Sequence, residues 1–157
     1  MDLQTAIQRP IEALLPHAAP MVLLDRCLKV SVDSFEAEVT LNKQSPFCVD
    51  GHVGAWVGVE YMAQAIAAFA GAEAVAAGRE VKVGFLLGSR RYESKVPAFS
   101  AGSSLRVAVK KLLHEDNGVG ALECKIYIDG ASEPAVEANL NVYQVADLGA
   151  FLKENKA

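Results

Sequence analysis

From Phe35 to Asn42 the chain alternates without a break: Phe35, Ala37, Val39 and Leu41 are apolar, while Glu36, Glu38, Thr40 and Asn42 are polar. Successive side chains of an extended strand point to opposite faces, so the pattern predicts a strand with one face buried and one wet. Leu105, Val107 and Val109 alternate likewise with Ser104, Arg106 and Lys110. Leu122, Cys124, Ile126 and Ile128 follow Asn117-Gly118, and Val136, Ala138, Leu140 and Val142 follow Asp129-Gly130. Asn-Gly and Asp-Gly supply the left-handed residues of tight hairpins, so the second half reads as an antiparallel meander. Further strands are expected at Met21–Val32 and Val81–Lys95.

The period changes between these runs. Trp56 to Ala77 contains no proline, and Gly58 and Gly71 do not break an otherwise strong run of helix formers. Its sides are apolar almost all the way round, which implies a helix that crosses a membrane or is buried in its own protein. A membrane span takes ~20 residues, which this run would allow. Glu60, Gln64 and Glu73, with the high Ala and Gly content, favour the buried helix. The expected fold is therefore α+β: one long central helix wrapped by a curved antiparallel sheet. Met62, Ile66 and Phe69 fall at helical spacing and are expected in the core, with some lining of a substrate channel as the alternative. Trp56 is expected mainly in core packing, with the entrance to that channel as the alternative.

Composition narrows the class. The 157 residues suit a single domain, 1–157, and 52% apolar residues are ample to fill one core. A short helical lead-in is expected at about 1–20 and a charged tail at about 146–157. The N-terminus lacks a basic start followed by an apolar run, which argues against secretion. Cys27, Cys48 and Cys124 are odd in number and lack metal-ligand spacing, so reduced thiols in a cytoplasm are expected. A formal net charge of −4 argues against nucleic-acid binding. No Walker loop, dinucleotide fingerprint or zinc pattern occurs, so neither a metal nor a bound cofactor is expected.

Candidate chemistry concentrates in Pro46–Gly71, PFCVDGHVGAWVGVEYMAQAIAAFAG. A loop carries His52, and Glu60 enters near the helix start. A histidine with an unperturbed pKa of ~6.5 is mostly neutral near pH 7 and suits proton abstraction. A carboxyl group serves as an acid when burial holds it protonated part of the time. The free N–H groups at the helix start, around Ala55, Trp56 and Val57, point where an oxyanion would sit. Bland readings stand beside these: a structural His52, a Glu60 favoured by the helix dipole, and a Gln64 that satisfies the core rather than orienting Glu60. His17 reads as structural, and His114, beside Glu115 and Asp116, as surface. Arg90, Arg91 and Lys95 form a basic cluster on an acidic chain, with a solvated strand face countered by Glu93 as the alternative.

Four segments together carry a family resemblance: LLPHAAPMVLLDR (Leu14–Arg26), GHVG (Gly51–Gly54), VEYMAQA (Val59–Ala65) and GSRRYESKVP (Gly88–Pro97). In this order, and over about Leu14 to Tyr143, the chain resembles the hotdog-fold 3-hydroxyacyl-[acyl carrier protein] dehydratases of fatty-acid synthesis. Within them it is most similar to the shorter dehydratase-like proteins of aryl polyene and related polyketide clusters. The resemblance implies that His52 is the catalytic base and Glu60 the catalytic acid, with the site formed between two subunits. It implies an acyl carrier protein as partner, bringing its thioester on a phosphopantetheine arm to a basic patch at Arg90, Arg91 and Lys95. It also implies a homodimer, a heterodimer with a related hotdog subunit, or a higher assembly of such dimers. One departure is plain: only Val53-Gly54-Ala55 follow His52, where family members usually carry a longer turn-rich loop before the helix. Two other functions remain compatible with the residues. One is a thioesterase in which Glu60 activates water, and the other a catalytically weak acyl-binding or scaffolding subunit.

Overall fold

In this computed structural model, residues 1–16, 21–81, 84–114 and 118–144 are described, with only the backbone given at 84–87, 114 and 144. His17, Asn117 and the expected tail at 146–157 lie outside the described residues, as does the side chain of His114. Asp2 caps helix α1 (Leu3–Ala6) by accepting the Thr5 N–H at 2.8 Å. A 3-10 turn, Ile11–Leu14, follows. The strands β1 (Arg26–Val30) and β2 (Ser34–Thr40) come next, then the short β3 (Cys48–Val49) and β4 (His52–Gly54). A 3-10 turn, Ala55–Val57, leads into α2 (Gly58–Ala76). The remainder is β5 (Gly84–Ser94), β6 (Ala98–Ser100), β7 (Ser104–His114), β8 (Val119–Ile128) and β9 (Val136–Gln144).

Six strands form one antiparallel sheet in the order β1-β2-β7-β8-β9-β5, and β3-β4-β6 form a second, small one. The alternation read from the sequence sets the register. Phe35 pairs with Val109, Val109 with Cys124, Cys124 with Ala138, and Ala138 with Tyr92, so one row of side chains crosses the sheet on its inner face. The next inward row runs Ala37, Val107, Ile126 and Val136. Phe35, Val107, Ile126 and Leu140 are fully buried, as expected from the alternation. Each contributes roughly 1.5–3 kcal/mol.

Helix α2 lies on this inner face. Met62, Ile66 and Phe69 are buried as predicted, and Phe69 stacks on Phe35 with ring centroids 5.7 Å apart. The helix also meets the N-terminal 3-10 turn so closely that a Cβ at Gly71 would fall 1.8 Å from the Leu14 carbonyl oxygen. The helix is nevertheless not enclosed all round. Val59, Ala63, Ala67 and Ala70 are only half-buried and Glu60 is exposed, which leaves an alanine-rich stripe uncovered in the single chain. Among the described residues, no helix is long and apolar enough to cross a membrane.

The structure departs from the sequence pattern at two strand ends. The strand expected from Met21 starts only at Arg26, because Met21 and Leu23 give their backbone groups to the Gln64 amide on α2 instead of to a neighbouring strand. The Asp129-Gly130 pair does turn the chain, with φ of 50° and 74°, but it does not close a two-residue hairpin. Strand pairing resumes only at Ile126 with Val136, and Asp129 instead exchanges hydrogen bonds of 2.8 Å with Ser104 at the start of β7.

Candidate active site

The segment expected as a loop around His52 is a β-hairpin. Val49 pairs with His52 across Asp50 and Gly51, whose φ values of 52° and 79° are both left-handed. Two consecutive left-handed residues define the hairpin turn for which Asp-Gly is the preferred sequence. β4 is held on its other side by β6, with His52 opposite Ser100, so the histidine backbone is fixed from both flanks. The His52 Nδ1 lies 3.0 Å from the Asp50 carbonyl oxygen. A carbonyl only accepts, so in the neutral imidazole Nδ1 carries the proton and Nε2 keeps its lone pair.

Exposed apolar side chains stand along the same segment as His52. Phe47, itself at φ 67°, meets Trp56 edge-on at 5.8 Å. Holding a non-glycine residue there costs about 1–3 kcal/mol. Phe47, Val49 and Trp56 are 49%, 70% and 64% exposed, so an apolar ridge flanks His52. Trp56 is therefore a surface residue, and its expected place in the core is corrected. Its indole folds back over Gly54, where a Cβ would fall 2.4 Å from Nε1.

At the start of the helix the two expected oxyanion amides part ways. The Ala55 N–H donates to the Pro97 carbonyl at 3.0 Å, so it is not available to a substrate, and its assignment is corrected. The Ala55 carbonyl accepts the Tyr92 hydroxyl. Gly58 makes room for that contact, since a Cβ there would lie 2.4 Å from Tyr92 Oη. Trp56 sits in the first turn, where N–H groups have no carbonyl one turn back. Its N–H makes no hydrogen bond among the described residues.

Glu60 stands in the first turn of α2, exposed, with neither a hydrogen bond nor an ion pair among the described residues. Gln64 does not orient it. The buried Gln64 amide oxygen accepts from Leu23 N–H at 2.8 Å, and its NH2 donates to Met21 O at 2.6 Å. The side chain is a clamp for the Met21–Leu23 segment. In one chain, then, His52 and Glu60 are both open to solvent and share no shelter.

A cavity of about 250 Å³ is lined, among others, by Leu23, Asp25, Val39, Leu41 and Tyr61. Neither His52 nor Glu60 lines it. The Tyr61 hydroxyl is pushed up to about 12, mainly by burial and then by the Asp25 charge, so it remains a proton donor. Tyr61 and Tyr92 were missed in the sequence, where each looks like an ordinary core aromatic.

In the basic cluster, Arg91 is already engaged by Glu93 at 3.0 Å and Glu137 at 3.6 Å. That matches the solvated-face alternative for this residue. Arg90 and Lys95 are exposed and make no ion pair among the described residues. Lys95 stands just before Pro97, whose carbonyl holds the helix start. The cysteines are free, and burial pushes Cys27 up to about 11 and Cys124 up to about 12, which keeps both thiols protonated. Among the described residues, no cluster suited to a metal ion occurs.

Residues 9–153 match the model of the ApeP-like family, the ApeP dehydratases. The dehydratase heterocomplex ApeI:P from Xenorhabdus doucetiae is 33% identical, covers 94% of this chain and 99% of its own, and superimposes with a TM-score of 0.84. Two more distant structures share the fold alone. A sigma28-regulated virulence protein of Campylobacter jejuni is 13% identical, with coverage of 91% and 92% and a TM-score of 0.62. A hypothetical thioesterase of Streptococcus pneumoniae, solved with coenzyme A, is 10% identical, with coverage of 76% and 87% and a TM-score of 0.59. No curated protein matches the chain. The long helix on a large antiparallel sheet is the hotdog fold, as the sequence led us to expect.

Proposed function

Because the chain belongs to the ApeP-like dehydratase family, we propose that it removes water from 3-hydroxyacyl thioesters carried on an acyl carrier protein. The observation that supports this reading most is the contact between His52 Nδ1 and the Asp50 carbonyl. It leaves Nε2 as a base at the edge of an apolar ridge, fixed by a paired hairpin. His52 takes the proton from C2, and the electron pair moves to the thioester oxygen, which Trp56 N–H receives. The carbonyl reforms as the C2–C3 double bond closes and the C3–O bond breaks. Glu60 gives its proton to the departing hydroxyl, and water leaves. Only protons and the bonds of the substrate change, so the reaction calls for no cofactor.

Both groups are exposed in one chain, so the proposed site is completed by a second, related hotdog subunit. That subunit would cover the Phe47, Val49 and Trp56 ridge and shelter the Ala63, Ala67 and Ala70 stripe. The Xenorhabdus relative is a heterocomplex, which favours a heterodimer here over two copies of this chain. Arg90 and Lys95 are proposed to meet the acidic carrier protein and the phosphate of its arm. The short connection Val53–Ala55 favours one second reading, a subunit that binds the acyl chain and supports catalysis in its partner.

Incubation of the assembled complex with 3-hydroxyacyl carrier protein, followed by mass spectrometry, tests the reading. Loss of one water is expected, while release of free acid would mark a thioesterase. His52→Ala and Glu60→Gln should each lower the rate on the order of 10²–10⁴-fold, the usual worth of a positioned acid or base. Dehydration that survives both changes would assign the chemistry to the partner subunit.

A further inference from the structure

The inner-face row that crosses the sheet from Phe35 through Val109, Cys124 and Ala138 ends on Tyr92. That position aims the ring at the start of α2. Its hydroxyl donates to the Ala55 carbonyl, in a space that exists because residue 58 is glycine. Ala55 is gripped from the other side as well, through its N–H to Pro97. The carbonyl that Tyr92 holds belongs to the same peptide unit as the Trp56 N–H. In a trans peptide the two dipole ends point in opposite directions. Fixing the carbonyl toward β5 therefore aims the Trp56 N–H away from the sheet.

We infer that Tyr92 is a positioning residue for the dehydration, holding and polarising the Ala55–Trp56 peptide so that its N–H receives the thioester oxygen. The inference rests on the dehydratase reading of the site. Hydrogen bonds in series strengthen one another by roughly 10–30% per bond, and a pre-aimed donor avoids reorganisation as charge builds on the oxygen. Burial keeps the hydroxyl protonated, so the grip persists across neutral pH.

Tyr92→Phe removes the hydroxyl and keeps the ring. In the assembled complex we expect kcat to fall on the order of tenfold with KM nearly unchanged. That is less than the 10²–10³-fold loss from deleting an oxyanion donor outright. A second readout separates aim from mere folding: the infrared carbonyl stretch of a saturated acyl carrier thioester, which binds without reacting. The bound stretch should lie below the free value in the native complex, and Tyr92→Phe should return it toward that value. Gly58→Ala, which drives a methyl into the Tyr92 hydroxyl, should reproduce both effects.

Unchanged kcat and stretch in Tyr92→Phe would overturn the inference, as would failure of both variants to assemble, which would make the residue structural. If the native complex releases no water, the dehydratase reading fails instead, and the stretch still reports whether Tyr92 aims the amide.

Discussion

The hairpin turn that presents His52 is open to a controlled perturbation. Gly51 has φ 79° and Gly130 has φ 74°, and a Cβ at either would meet nothing within 4 Å. Replacing either by alanine therefore adds no clash and imposes only the left-handed penalty, about 1–2 kcal/mol. For a chain of this length each kcal/mol lowers Tm by roughly 2–4 °C, so both variants should lose a similar few degrees. Their activities should differ. Relaxing residue 51 toward negative φ rotates the Asp50 carbonyl away from His52 Nδ1, now 3.0 Å away. That forfeits a hydrogen bond worth about 1 kcal/mol, or roughly a fivefold loss in rate. The Asp129-Gly130 turn bonds to Ser104 and carries no candidate group. Thermal unfolding by circular dichroism, paired with dehydration rates of the assembled complex, makes the comparison. A Gly51→Ala variant that loses stability but keeps its full rate would refute the idea that this turn sets the base. One that loses no stability would refute the turn itself.

Charge reversal at the open basic positions, Arg90→Glu with Lys95→Glu, should raise KM for carrier-bound substrate about tenfold at low salt and leave kcat alone. Arg91→Ala should change little, because Glu93 and Glu137 already engage that guanidinium. Equal effects of the two changes would dissolve the proposed patch. Alkaline stability offers a separate check. Burial raises Tyr61 and Tyr92 from 10.0 to about 12, Cys27 from 9.0 to about 11, and Cys124 from 9.0 to about 12. Each group is neutral when protonated, and the unfolded chain releases these protons first. The contribution is therefore intact below pH ~9 and is lost as pH rises through ~9–12. The urea midpoint should drop between roughly pH 9 and pH 12, and a midpoint that stays level over that span contradicts the burial of these four groups.

Two Asp-Gly pairs show how far local rules reach. The pair at Asp129-Gly130, where the sequence predicts a hairpin, turns the chain but sits in a longer connection anchored to Ser104. The pair at Asp50-Gly51, in a segment that reads as a loop, closes a true two-residue hairpin and sets the candidate base. The same dipeptide supplied the same left-handed conformations in both places. What differed was whether the flanking residues had a partner strand, and β3 and β4 were too short for alternation to betray them.

The α+β fold, the buried faces of β2, β7, β8 and β9 and the long apolar helix with Glu60 near its start follow from the sequence alone. Period and residue type are properties of neighbouring positions along the chain. The tertiary structure decided the rest. It took Ala55 N–H out of contention through Pro97, assigned Gln64 to a backbone clamp, moved Trp56 to the surface and brought Tyr92 onto the Ala55 carbonyl. Whether a donor is spent or a ring is covered depends on groups that are distant in sequence and adjacent only in space. Linear pattern carries no record of that proximity, because it arises when the sheet curls over the helix.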